Sequence, residues 1–179
     1  MQTAHELFVY GLKEMLSAEH ELVEALGKQA EESSRPDLKK AFEAHQKQTE
    51  KQVERLEESL EDLGEEAEER DCKGIKGIIE EHDTFIEEED PAEDIADIFN
   101  VGAASKVENY EICAYSDLIR LADLMGHKKV SKLLNQTLKE EEQTAKKMES
   151  FAKKLKPENL GMEEEGEEEA PRRGRRRAA

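Results

Sequence analysis

Four stretches of the chain repeat apolar residues at alternating steps of three and four, each long enough to form a full-length bundle helix. The first carries Phe8, Leu12, Met15, Leu22, Leu26 and Ala30, and the second Leu38, Phe42, Leu56, Leu60 and Leu63. The third runs Ile95, Phe99, Ala103, Val107, Ala114, Leu118, Leu121 and Met125; the fourth runs Leu134, Leu138, Ala145, Met148 and Leu155. An amphipathic helix must cover its stripe, and four of them satisfy one another around a single core. Composition points the same way: 40% of residues are charged, 4% are aromatic, and Gly and Pro are few. The expected fold class is all-α.

The punctuation between the stripes predicts how they connect. Thr3 stands three residues before Glu6, a capping-box start for a helix reaching about Ser33. Pro36 fits only a first turn, so a short link at 33–37 makes the first two helices antiparallel neighbours. Gly64 ends the second helix. A polar stretch, 65–74, then leads to an amphipathic piece from Ile75 to Glu88, too long for a hairpin. Asp90 is expected as an N-cap, with Pro91 in the first turn and Glu93 near the positive end of the helix dipole. Gly126 stops the third long helix, the fourth follows from about Lys128, and Pro157 closes the domain. Two hairpins joined by a long crossover that carries a short fifth helix between helices two and three is the topology of ferritin-like bundles. One domain, 1–157, is expected; residues 158–179, a Glu run followed by an Arg run, have almost nothing to bury and are expected to be disordered.

Each stripe is broken near its middle by a residue type that binds metals. Glu19 interrupts the first, His45 the second together with Thr49 and Gln52, Glu111 the third and Glu141 the fourth. Glu108 precedes Glu111 by one turn, beside the stripe. A buried carboxylate is costly, so these groups need one another, protons or a cation. Residues three apart share a helix face, which pairs His45 with Gln48 and Glu108 with Glu111. Carboxylate oxygens bridge and neutralise hard cations, and imidazole adds a neutral ligand of intermediate softness. The competing reading is a hydrogen-bonded polar core, or surface positions out of phase with the stripe. His5, His20, His82 and His127 suit surface or capping roles, and Tyr110 and Tyr115, which flank the acids, suit packing ahead of hydrogen bonding to a ligand.

The chain has no phosphate-cradling glycine loop, no pair of histidines at the zinc-protease spacing and no nucleophile beside a base. A formal charge of -18 repels nucleic-acid backbones and anionic membranes. The five arginines within 172–177 are at most a weak polyanion contact. No apolar run is long enough to span a bilayer and no secretory pattern opens the chain, so a cytoplasmic location is expected. Cys72 and Cys113 are expected to be free thiols.

Several segments carry a family resemblance. Ala41-Phe42-Glu43-Ala44-His45 with Thr49 and Gln52 to Leu56 resembles the second helix of the YciE/YciF family of ferritin-like stress proteins. Lys106 to Ile112 with Ala114 and Tyr115 resembles the third, Ser17-Ala18-Glu19 the first, and Thr137 to Glu141 the fourth. The likeness covers about residues 5–155. It implies an iron centre of one or two ions, with manganese as a substitute, that oxidises Fe(II) with a small oxidant, in a homodimer. Under that likeness Glu19 and Glu141 are terminal or bridging ligands, His45 is the nitrogen ligand, and Glu108 with Glu111 bridges. The pattern is incomplete: Gln48 stands where the family carries Glu, Asn109 where it carries His, and Ala145 where it carries Asp. These losses leave open a non-enzymatic stress or scaffold protein with a degenerate site.

Overall fold

The computed structural model describes residues 1–154, so Leu155, Pro157 and the 158–179 tail lie outside the described residues. Among the described residues the regular elements are five helices: α1 Ala4–Glu32, α2 Pro36–Asp62, α3 Lys73–Glu89, α4 Glu93–Met125 and α5 Lys128–Lys153. The capping box at Thr3 forms: its hydroxyl accepts from the Glu6 amide at 3.1 Å, and the Glu6 carboxylate accepts from the Thr3 amide at 3.0 Å. Gly126 closes α4 at φ 79°, a left-handed position, and the next amide, His127, bonds back to the Ala122 carbonyl at 2.9 Å.

One boundary departs from expectation. Asp90 does not cap α4; it terminates α3 at φ 40°, and Ala92 is the residue preceding α4. A three-residue link must stop one helix before starting another, and Asp tolerates the left-handed turn that does so. Pro91 therefore lies ahead of α4, while Glu93 and Asp94 still occupy its first turn.

The helices form two antiparallel hairpins, α1 with α2 and α4 with α5, joined along α1–α4 and α2–α5. Helix α3 lies outside this square against α1 and α4. Its start is anchored low on α1, where the Arg70 amide donates to the Lys13 carbonyl at 3.0 Å, and its later turns reach the top, where Lys28 pairs with Asp83 at 2.8 Å. The crossover thus returns the chain to the α1–α2 corner, and α4 descends parallel to α2. Asp97 of α4 locks that corner, accepting from the Ser34 amide (3.1 Å), the Ser34 hydroxyl (2.7 Å) and the Arg35 amide (3.1 Å).

Apolar packing divides into two clusters. Phe8, Leu12, Leu56, Leu60, Leu118, Val130 and Leu134 belong to one, and Leu26, Leu38, Phe42, Val101, Ala104 and Met148 to the other. His45, Thr49 and Gln52 on α2, Glu108 and Glu111 on α4, and Thr137, Glu141 and Thr144 on α5 fall between them. The buried line of α4 also differs from the sequence stripe: it passes through Asp97, Val101, Ala104, Glu108, Glu111, Tyr115 and Ala122, whereas Ile95 and Phe99 are only half-buried. A helix flanked by three others buries a wide arc, so steps of four drift off its inner face. Phe99 serves the crossover, stacking on Phe85 with ring centroids 3.8 Å apart.

Candidate metal centre

The central turns of the four long helices bring Glu19, His45, Glu108, Glu111 and Glu141 into one enclosed layer, none more than 3% exposed. Glu108, which the sequence places beside the stripe, is fully buried because α4 faces α1 and α5 over a broad arc. His45 lies between two acids, with Nδ1 3.5 Å from a Glu108 oxygen and Nε2 3.6 Å from a Glu141 oxygen. One ligand atom from each of these three residues falls within 4.8 Å of the others. An ion at about 2.1 Å from its ligands requires ligand separations of about 3–4 Å, so small rotamer shifts suffice.

Gln48 does not join the layer. It is half-buried and lines a surface groove between α2 and α5 with Ala44, Lys47, Lys51, Glu140 and Gln143, since a step of three residues leaves it about 60° round the helix from His45. Asn109 and Ala145 likewise face an outer groove between α4 and α5. The Asn109 amide donates to the Ser105 carbonyl at 2.7 Å. The three departures from the family pattern therefore lie outside the buried layer and leave its acids intact.

Two residues enter the layer that sequence reasoning left as fillers. The Tyr115 hydroxyl donates a hydrogen bond to Glu19, not the plain packing role expected of it. Gln52 donates one bond to Glu141 and a second to Glu140 at 3.3 Å. Arg55 completes this edge through Glu140 (2.6 and 2.9 Å) and Thr137 (3.1 Å). The available signal was spacing: Gln52 is seven residues beyond His45 and shares its face, as Tyr115 does with Glu111 and Glu108. Tyr110 instead meets Cys72 across 3.4 Å, and both cysteines are free thiols. His82 corrects another expectation: it is 4% exposed and bonded to Asn100 at 2.7 Å, because α3 presses that face onto α4.

Electrostatically the layer is poorly satisfied by protein alone. Burial, then the Glu141 charge, raises Glu108 to about 10. Burial, followed by the Glu141 charge for Glu19 and by the Glu19 charge for Glu111, holds both acids well above the ordinary carboxylate range. Both ring nitrogens of His45, both oxygens of Glu108 and one oxygen each of Glu19, Glu111 and Glu141 lack a hydrogen-bond partner. Orphaned buried acceptors facing one another are what a cation would satisfy. Four carboxylates match the charge of two divalent ions, and one imidazole among oxygens suits iron or manganese. The residues present therefore fit a metal centre. One nitrogen of His45 can take an ion while the other, as N–H, orients a carboxylate.

Fold and layer define a class: ferritin-like helical bundles with a carboxylate and imidazole cluster enclosed by the four long helices. The family described as a domain of unknown function, DUF892, matches residues 3–161, and the chain belongs to it. Protein YciF of Escherichia coli (strain K12) is 37% identical over 153 residues, 85% of this chain and 92% of that protein. The crystal structure of that E. coli stress protein superposes with a TM-score of 0.81 at 34% identity, covering 91% of this chain and all (100%) of the other. YcfI from Rhodopseudomonas palustris superposes at 0.80 with 32% identity, over 83% and 94% of the two chains. A two-domain protein of Anabaena variabilis, with DJ-1/ThiJ/PfpI-like and ferritin-like domains, matches at 0.61 and 19% identity, over 99% of this chain and 42% of that one. This last likeness bears on fold alone.

Proposed function

We propose that the chain is a cytoplasmic ferritin-like stress protein that binds iron in the buried layer and oxidises Fe(II). The observation that carries this reading is the set of unpartnered acceptors on Glu19, His45, Glu108, Glu111 and Glu141, gathered from all four long helices. Bound iron would supply the electrons: two Fe(II) ions lose one each, and a dioxygen molecule takes both with two protons to leave as hydrogen peroxide. Glu108, Glu111, Glu19 and Glu141 would hold the ions and offset their charge, and His45 would add the nitrogen ligand. Manganese is the substitute that the same donors accept.

A register-fixing polar core without metal is the rival reading. It would have its polar atoms bonded to one another, and the ring nitrogens of His45, both without a hydrogen-bond partner, count against it. Metal content of the chain purified from iron-supplemented cells, with the rate of Fe(II) oxidation, tests the proposal. Substoichiometric metal that does not change in Glu111→Ala would sink it. A homodimer, implied by the family resemblance, is part of the proposal and is checked by sedimentation. Polyanion contact through the tail predicts a salt-sensitive gel shift that disappears when residues 172–177 are deleted.

A further inference from the structure

A cavity of about 20 Å³ lies between α1, α3 and α4, directly beside the metal layer. Leu22, Ile79 and Val107 contribute its walls, and Gln29, His45 and Glu108 are its polar residues on the bundle side. Beneath the crossover it meets His82, whose ring bonds to Asn100 at 2.7 Å and so pins α3 over it. The small side chains of Ala25, Ala103 and Ala104 keep the space open. Ala25 and Ile79 are only half-buried, which puts part of the wall at the surface.

We infer that this cavity is a binding site and entry path for a small apolar gas, dioxygen being the one that the proposed iron centre would consume. The size suits a single water-sized or diatomic molecule. Its accessible lining is almost wholly carbon, because the polar atoms of His45 and Glu108 are covered within the layer, so water and hydrogen peroxide pay an unreturned desolvation cost there, whereas dioxygen has none to lose. Packing α3 against α1 and α4 leaves this gap on the face of His45 and Glu108, whereas the polar edge at Gln52, Arg55 and Glu140 lies on the α2–α5 side. A gas and a charged ion would thus approach the layer from different sides. The choice of dioxygen as the gas rests on the ferroxidase reading; the gas site itself does not.

The test is methyl NMR of the full chain, purified with chelator, under oxygen pressure. Dissolved dioxygen is paramagnetic and broadens the methyl groups it visits. The Leu22 and Val107 methyls are expected to broaden more than those of the comparably enclosed Leu118 and Val53, which do not line the cavity, and the excess is expected to vanish in Ala104→Leu and in Ala25→Leu. The second variant fills the cavity from its half-buried wall, where little repacking is needed. With iron loaded, both variants should lose dioxygen-driven oxidation severalfold while keeping iron binding and peroxide-driven oxidation. Equal broadening of all four residues in the unsubstituted chain overturns the gas site, whatever the ferroxidase assay shows. Excess broadening in a chain that fails to oxidise Fe(II) overturns the ferroxidase reading and leaves the gas site standing.

Discussion

The phenol of Tyr115 on α4 donates its hydrogen to the carboxylate of Glu19 on α1, and both side chains are wholly enclosed. The bond spans two helices that no hairpin joins, so it positions one acid from the outside of the layer. Tyr115→Phe keeps the ring and removes only the donor. The expected result is a metal affinity lowered about 10–100-fold with helical content unchanged, read by metal titration and far-ultraviolet circular dichroism. Unchanged affinity would show that Glu19 needs no such support.

Glu111→Gln separates stability from binding. Burial and the neighbouring acids penalise the ionised form of Glu111, so the metal-free chain gains when that acid becomes a neutral amide. Its melting point is expected to rise by a few degrees, on a scale of about 2–4 °C per kcal/mol. Added Fe(II) should then raise it much less than in the unsubstituted chain. A metal-free variant that melts below its parent contradicts this account of the layer.

Stability of the metal-free chain should fall as the medium turns alkaline. Glu108 rises to about 10 in the folded chain, against 4.5 ordinarily, so between those values the native state retains a proton that the unfolded state has released. The contribution is complete below pH 4.5, declines as pH rises, and is gone above about 10. Metal binding displaces those protons, so affinity should strengthen over the same window. Chemical denaturation at several pH values, with and without metal, measures both slopes.

Asp97→Ala removes the acceptor of three hydrogen bonds at the α1–α2 corner. A loss of roughly 2–4 kcal/mol is expected, because two backbone amides and a hydroxyl lose a buried charged partner. Asp97→Asn should recover part of it. Urea denaturation compares the two.

Two glycines should respond oppositely to alanine. Gly102 lies inside α4, where an added methyl would meet nothing within 4 Å, and Gly102→Ala should stabilise by about 0.5–1 kcal/mol. Gly126 has equal room but a φ of 79°, and Gly126→Ala should cost about 1 kcal/mol. Thermal melts decide the sign of each.

Much of this architecture is legible in the residues alone. The capping box at Thr3, Pro36 in a first turn and Gly126 at a stop are local chemistry, and local chemistry survives folding. Glu19, His45, Glu111 and Glu141 could be found because a charged or polar residue on an otherwise apolar helical face is conspicuous at any register. Glu108 and Tyr115 were harder: α4 touches α1, α3 and α5, and the width of its buried arc depends on neighbours that no single-helix pattern contains. His82 was misplaced for the same reason, since a histidine on an amphipathic crossover becomes buried only once the crossover finds the α1–α4 face.

The number of long helices, their pairing into two hairpins and the polar break in each stripe can be read along the chain, because periodicity, caps and connection lengths are written in neighbouring residues. Which acids meet, that Gln48, Asn109 and Ala145 face outward, and that Gln52 and Tyr115 hold Glu141 and Glu19 emerge from the packed bundle alone. These depend on the rotation of each helix about its axis, and that rotation is set by side chains interlocking across the bundle, not along it.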